Sequence, residues 1–450
     1  MSGAPQAMDR LKGPMNLLPI VAVLALAAPA VAQSDAPDAP ESPAPADAPA
    51  PASTAPSAEA PATPPPPFTL GREATDRPGP SPYAVDTQFG RPPNVYVIPM
   101  EGLMGLDIHP LVYDKVLADL KEKKPDLVVL RLKSTNHGEK DSYMEAVANS
   151  SDEDKVEPRR LASAITEYRD LAAKLRDEIG PIPTVMYVVD ARGVSCVYAL
   201  AWPYMFMGPD TKIAGMDIVT ELAGGNDDDI KAKMLSAWTG IAKGVVELGG
   251  HPQALTEALV RPDRVLSADI EGRSTKWRAD TSGSWIVVDS SMESAARFPA
   301  KLAEDTGLTE GLVEDLPDLL GQLGYPEFAV IDSGDKIFRD TNASWRRRFQ
   351  ESKAWMEDFA EEMTDDRELS KKKAILEKML QNFKQSPQFA RMWEWSRGLD
   401  ENQLKVSLEQ INEQIRAAQK AKAAQRGGSK GSKGSKGGGA GGAPGGFPGK

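Results

Sequence analysis

The sequence has one cysteine and three histidines in 450 residues. A lone Cys196 excludes an internal disulfide and any metal site built on several cysteines. With only His109, His137 and His251, the sequence also argues against a zinc site made of several histidines, and we expect neither metal nor cofactor. The net charge of −12 argues against a nucleic-acid-binding body, because little would neutralise phosphates in bulk.

Long apolar runs are also scarce, and one of them lies near the N-terminus. Arg10 and Lys12 precede the apolar stretch Met15 to Ala28, which ends in Ala30-Val31-Ala32. A positive start, an apolar middle and an A-x-A exit predict a cleaved signal peptide over residues 1–32. The stretch is short for a membrane span of ~20 residues, and an uncleaved anchor is the alternative. We therefore expect an exported protein, periplasmic or extracellular, that associates with a membrane or cell wall.

Composition divides the rest of the chain into segments. Residues 33–85 are rich in Ala and Pro and predict a disordered linker, while the Gly/Ser/Lys-rich residues 426–450 predict a disordered tail. Residues 340–425 are charged and have a helical period. Leu404, Leu408, Ile411 and Ile415 follow one another at coiled-coil-like spacing.

Residues 86–339 predict an α/β domain. Three apolar strands, in "NVYVIPMEG", "PDLVVLRLKS" and "PTVMYVVD", alternate with two amphipathic helices, and Asp107 is a candidate cap for the first helix. Nearly continuous apolar strands separated by helices indicate a parallel sheet with helices on its faces. Further short strands are predicted in "RVLSADIEG", "SWIVVDS" and "FAVID".

One serine follows the third strand where a helix would begin. Gly193 allows tight backbone geometry before it, and a helix N-terminus offers free amides, so Ser195 is a candidate nucleophile. A serine in this position is also a common helix cap, which is the alternative. No histidine follows Ser195 at a distance suitable for a triad. A lysine withdrawn from water is the remaining base, and Lys231 and Lys233 open the helix after the Gly/Asp-rich loop.

The order of these strands, followed by "ARGVSCVYALAWPYMFMGPDTKIAG", resembles the ClpP/crotonase superfamily. More narrowly, it resembles the membrane-associated serine proteases of the NfeD and signal-peptide-peptidase A (S49) type. In those proteases a segment "A-x-A-A-S-A-G" carries the nucleophile at the start of a helix. The "M-A-P-x-[ST]-x-I-G" strand that follows it is matched here by "FMGPDTKIAG", Phe206 to Gly215. The resemblance covers roughly residues 90–333. It implies a spiral of β-β-α units around a parallel sheet, with residues 340–425 as a helical C-terminal extension, and assembly as a homo-oligomer.

The resemblance also implies roles for individual residues. Ser195 falls on the nucleophile, Lys231 on the dyad lysine with Lys233 as the alternative base, and the amide of Cys196 on one oxyanion donor. The second donor turn, "T-P-G-G" in the family, reads "STNHGEKD" here and leaves Gly138 as the candidate. Two hypotheses follow. One is an exported serine endopeptidase that cuts peptides or membrane-protein fragments. The other, motivated by "STNHGEKD" and by "SCV" in place of "SAG", is a catalytically inactive crotonase-fold scaffold or peptide-binding protein.

Overall fold

The computed structural model describes residues 80–84, 91–135, 165–216, 228–271, 274–289, 291, 294–360 and 366–428. Predictions for the signal peptide, most of the linker, the Gly/Asp-rich loop and most of the tail therefore lie outside the described residues. No helix of the described residues is both long enough and apolar enough to cross a membrane.

The described chain alternates strands and helices up to residue 331 and is helical from there on. The strands are β1 Asn94–Glu101, β2 Leu127–Thr135, β3 Thr184–Arg192, β4 Met205–Met207, β5 Lys212–Ala214, β6 Leu266–Glu271, β7 Ser274–Arg278, β8 Trp285–Val288, β9 Arg297–Pro299, β10 Gly311–Leu312 and β11 Ala329–Ile331. The helices are α1 Pro110–Lys123, α2 Ile165–Ile179, α3 Val194–Ala199, α4 Asp228–Leu248, α5 Gln253–Val260, α6 Ala300–Asp305, α7 Leu316–Gln322, α8 Ser333–Ala360, α9 Asp366–Gln385, α10 Pro387–Arg397 and α11 Glu401–Gly428.

The main sheet has the strand order β10-β4-β3-β2-β1-β11. All neighbours along this path are parallel; β5 pairs with the end of β3 in the same sense, and β9 joins β5 antiparallel. A separate antiparallel sheet has the order β7-β6-β8. The predicted α/β class with a mainly parallel sheet and a C-terminal helical region is confirmed. The spiral of β-β-α units stays a prediction.

Both faces of the main sheet are buried, because the strands alternate apolar residues between two clusters. Val128 and Leu130 of β2 join the larger cluster, and Leu127 and Val129 join the smaller one. Helices α1, α2 and α4 supply the larger cluster, and α7 supplies the smaller one. Continuous apolar strands are what such burial on two faces requires.

The first helix begins differently from the prediction. His109 caps α1, with its Nδ1 accepting a hydrogen bond from the backbone N–H of Leu111 at 3.3 Å. Asp107 was the wrong residue for this role, since its carboxylate instead accepts from the N–H of Leu103 and pairs with a distant arginine. Pro110 follows the cap directly, in the first turn where proline is tolerated.

The C-terminal helices are built into the core. Helix α8 packs on α1 and β1, and it places Phe338, Trp345 and Phe349 in the larger cluster. Helix α9 packs against α11, whose Leu404 and Ile411 are buried. Helix α8 runs continuously across residues 339 and 340, where the predicted α/β domain and the predicted helical region meet. The boundaries of the predicted segments stay predictions.

Candidate active site

The carboxyl ends of three central strands meet at one edge of the main sheet. Parallel pairing aligns Glu101 of β1 with Lys133 of β2, and Thr135 of β2 with Arg192 of β3. In open parallel sheets, this edge is where ligands bind, because the loops that leave the strands converge there. The candidate nucleophile lies three residues beyond the end of β3.

Gly193 makes the turn from β3 into α3. Its φ of 70° and ψ of −134° lie in a region that side chains with a Cβ rarely adopt. Its N–H donates to the carbonyl of Ala214 at 3.0 Å, which fixes the turn against β5. The sharp turn places Ser195 in the first turn of α3, as the sequence predicts for a nucleophile or for a cap.

The Ser195 side chain is fully buried. Its Oγ lies 2.6 Å from the carbonyl oxygen of Ser134 and 2.9 Å from that of Arg192, and it donates its single proton to these acceptors. The Ser134 hydroxyl in turn donates to the carbonyl of Gly102 at 2.7 Å. A chain of hydroxyl-to-carbonyl bonds thus ties the ends of β1, β2 and β3 together. Ser195 does not cap the amides of α3; it cross-links strands.

The candidate bases lie on α4. Lys231 is half-buried and Lys233 is exposed, both in the first two turns of the helix. Among the described residues, the hydrogen bonds of the Ser195 hydroxyl go only to backbone carbonyls, and none joins it to a lysine. The structure does not bring the two halves of the dyad into hydrogen-bond contact, and the dyad stays a prediction.

Of the two candidate oxyanion donors, Cys196 and Gly138, only Cys196 lies among the described residues. The amide of Cys196 donates to the carbonyl of Gly193 at 3.0 Å, a bond that closes the first turn of α3. An amide engaged in this way is not directed at a substrate oxygen in this conformation. The Cys196 side chain is fully buried. Gly138 lies outside the described residues.

A charged cluster that the sequence does not reveal lies beside the carboxyl edge of the main sheet. Arg346 of α8 binds Asp107 through two bonds, Nε to Oδ1 at 3.0 Å and a terminal guanidinium nitrogen to Oδ2 at 2.7 Å. The Asp107 side chain is only 3% exposed. Asp107 also contacts the turn at Gly102, where a Cβ would clash with its carboxylate. The one available signal was an acidic residue inside an otherwise apolar, glycine-containing loop.

A second arginine holds the same loop from α10. Arg391 binds Glu167 of α2 through two bonds of 2.7 Å and donates to the carbonyl of Gly105 at 2.8 Å. Burial, together with the positive charge of Arg391, lowers the pKa of His109 from 6.5 to about 4, against the opposing effect of Asp114. His109 is therefore neutral at pH 7 and keeps its Nδ1 as the acceptor that caps α1.

In the described part of the chain, no group of three or more His, Cys, Asp and Glu residues is arranged to hold an ion. The geometry defines an α/β protein with a buried serine at a helix start, on the carboxyl edge of a parallel sheet.

Comparisons with known proteins add weak structural similarities. No protein-family model and no curated protein matches the chain. A mutant of the 1510-N membrane-bound stomatin-specific protease, in complex with a substrate peptide, is 14% identical, with 51% of this chain and 78% of that chain covered and a TM-score of 0.29. A second mutant of that protease is 14% identical, with 52% of this chain and 85% of that chain covered and a TM-score of 0.28.

The 1510-N membrane protease specific for a stomatin homolog from Pyrococcus horikoshii is also similar. It is 12% identical over 51% of this chain and 78% of that chain, with a TM-score of 0.26. At these TM-scores the neighbours assign no activity to this chain.

Proposed function

We propose that this chain is a non-catalytic α/β scaffold that binds other proteins or peptides, and that Ser195 is a structural residue within it. The observation that carries the proposal is the environment of the Ser195 hydroxyl. A nucleophilic serine needs a base that takes its proton and an open path to a substrate carbonyl. Ser195 is fully buried, and its hydroxyl donates to backbone carbonyl oxygens, which are too weakly basic to take its proton.

The rigid attachment of the C-terminal helices supports a scaffold role. Arg346 and Arg391 fasten α8 and α10 to the loop between β1 and α1. Helices α9 and α11 extend this body as a packed pair. A scaffold needs such a fixed surface, because a pre-ordered surface loses less entropy when it binds.

Covalent labelling tests this proposal. Full-length wild type and the Ser195→Ala variant are treated with a fluorophosphonate probe, beside an active serine hydrolase as a positive control. We expect the two proteins to give the same signal, with no component that depends on Ser195. Labelling of the wild type that disappears in Ser195→Ala would overturn the scaffold role. Partners that co-purify with the wild type should also be retained by Ser195→Ala.

An exported serine endopeptidase is the second candidate, and the position of Ser195 favours it. Ser195 starts a helix at the edge where strand ends converge, directly after a glycine with positive φ, and two lysines open α4. In this case, Ser195 Oγ would leave its carbonyl partners, give its proton to a neutral lysine Nζ and attack the scissile carbonyl. The lysine would pass that proton to the leaving amine as the C–N bond breaks. Water, deprotonated by the same lysine, would then hydrolyse the acyl ester, which releases the acid and restores the Ser195 hydroxyl.

The same labelling assigns the base for this candidate. Loss of labelling in Lys231→Ala but not in Lys233→Ala would identify Lys231, and the reverse would identify Lys233. Loss in neither variant, with labelling of the wild type intact, would exclude the Ser-Lys dyad.

For both candidate functions, we propose that the protein is exported and that it forms a homo-oligomer. The signal-like residues 1–32 support secretion, so N-terminal sequencing of the protein isolated from its native cell should begin near Gln33. A start at Met1 or Ser2 would favour an uncleaved anchor. The sequence resemblance supports a homo-oligomer, which light scattering of the full chain would test against the 48.4 kDa of one copy.

A further inference from the structure

The C-terminal end of this acidic protein carries basic residues and no acidic ones. Residues 414–450 contain eight basic residues and no acidic one, while residues 1–413 contain 45 basic and 65 acidic residues, a net charge of −20. The eight are Arg416, Lys420, Lys422, Arg426, Lys430, Lys433, Lys436 and Lys450. Such a separation of charge provides a cationic end that is attracted to an anionic surface.

The structure shows that this basic end projects from the body. Helix α11 is packed against α9 through Leu404 and Ile411, and from Arg416 onward nearly every residue with described burial is exposed. The helix nevertheless continues to Gly428, which extends it about 20 Å past its last packed turn. Within the described part of the chain, neither Arg416 nor Lys420 forms an ion pair.

Stabilisation of the helix dipole does not account for this arrangement. The dipole acts on charges in the last turn of a helix, and Arg416 and Lys420 lie two to three turns before Gly428. The projecting residues 416–428 consist only of Ala, Gln, Gly, Lys and Arg. They offer charge with no large apolar side chain, which suits contact with a charged surface and does not suit insertion or packing.

We propose that the projecting end of α11 binds the surface of an anionic lipid bilayer. The other end of the chain favours a bilayer over a nucleic acid, since the apolar stretch Met15–Ala28 requires a membrane whether it is a signal or an anchor. A cluster of basic residues on an exposed helix is attracted to an anionic bilayer surface without an apolar anchor. Residues 416–446 also contain no aromatic side chain on which a base could stack.

Vesicle binding by the full chain tests this inference independently of the proposed function. Partitioning is measured onto phosphatidylcholine vesicles and onto vesicles that contain phosphatidylglycerol, and the readout is the ratio of the two. The apolar N-terminal stretch contributes to both and cancels in the ratio. Each basic residue close to an anionic bilayer strengthens binding about fivefold. The triple variant Arg416→Gln/Lys420→Gln/Lys422→Gln should therefore lower the ratio by about a hundredfold.

A matched control removes three positive charges elsewhere. In Lys371→Gln/Lys372→Gln/Lys373→Gln, the lost cations lie on α9, where Asp358 and Glu377 already pair with Lys371 and Lys373. Its ratio should change by only about fivefold or less. The variant Lys420→Arg/Lys422→Arg keeps the charge and should keep the wild-type ratio.

Three results would overturn the inference. They are an equal affinity of the wild type for both vesicles, an equal loss in the α11 and α9 variants, and tighter binding to single-stranded RNA than to the anionic vesicles at the same salt concentration. The last result would replace the bilayer by a nucleic acid as the partner of this end.

Discussion

The hydroxyl of Ser195 lies 2.6 Å from the carbonyl oxygen of Ser134, a residue 61 positions earlier in the chain. This bond joins the start of α3 to the end of β2 inside a fully buried site. Because the same hydroxyl also faces the carbonyl of Arg192, both of its polar neighbours are acceptors. Ser195 thus starts a helix directly after a glycine turn, and its hydroxyl is bonded to backbone carbonyls of two strands.

Replacing Ser195 by Ala should lower the free energy of unfolding by about 1–2 kcal/mol, because a buried hydrogen bond is lost. Urea denaturation measures the change. Ser236→Ala, at an exposed position of α4, is the matched control and should change stability by less than about 0.5 kcal/mol. An increase in stability in Ser195→Ala would instead indicate a serine held for catalysis at the expense of stability.

The ion pair between Arg346 and Asp107 should anchor α8 to the body. Arg346→Ala leaves a buried carboxylate without its guanidinium and should cost about 2 kcal/mol. The cost is smaller than for a fully buried pair because the Arg346 side chain is 58% exposed. Arg339→Ala on the same helix removes a 71% exposed arginine from Asp335, which keeps Arg131 as a partner, and should cost less than about 0.5 kcal/mol. Similar costs for the two variants, measured by denaturation, would contradict an anchoring role.

His109 should make the protein less stable in mild acid. Its pKa is about 4 in the folded state and about 6.5 when unfolded, so only the unfolded chain gains this proton as the pH falls between these values. The contribution of neutral His109 to the free energy of unfolding is fully present above pH 6.5 and is lost as the pH falls toward 4. The total loss is at most about 3 kcal/mol.

Denaturation of His109→Asn at pH 7 and pH 4 provides the test, since Asn retains a cap and cannot be charged. The loss of stability between these two values should be smaller in His109→Asn than in the wild type. The carboxylates titrate in both proteins and cancel in the comparison. Equal losses would show that His109 does not control the acid sensitivity.

Two glycines should respond in opposite ways to alanine. Gly193→Ala places a Cβ on a backbone with φ of 70° and should cost about 1–3 kcal/mol. Gly240 lies in α4, with open space where its Cβ would be, so Gly240→Ala should raise stability by about 0.5–1 kcal/mol. Thermal unfolding compares the two, and a neutral Gly193→Ala would show that the turn into α3 tolerates other conformations.

Some elements of this fold are visible in the sequence and others are not, for a physical reason. Strands β1, β2 and β3 are apolar on both faces, and such runs are visible without knowledge of their partners. Strand β7 was missed, because its sequence Ser-Thr-Lys-Trp-Arg has a single apolar residue and its pairing with β6 defines it. Asp107 was misassigned, because a cap and an ion-pair partner are the same residue type in sequence.

The sequence by itself determined the parallel sheet buried on both faces, the helical C-terminal region and the serine at the start of α3. Each of these follows from patterns within about ten to thirty consecutive residues. Only the tertiary structure decided that Ser195 binds the carbonyl of Ser134, and that Arg346 reaches Asp107 across 239 positions. Local patterns encode elements and their buried faces. The partner of a hydroxyl or a charge depends on how distant elements pack, and at Ser195 that packing favours a structural role.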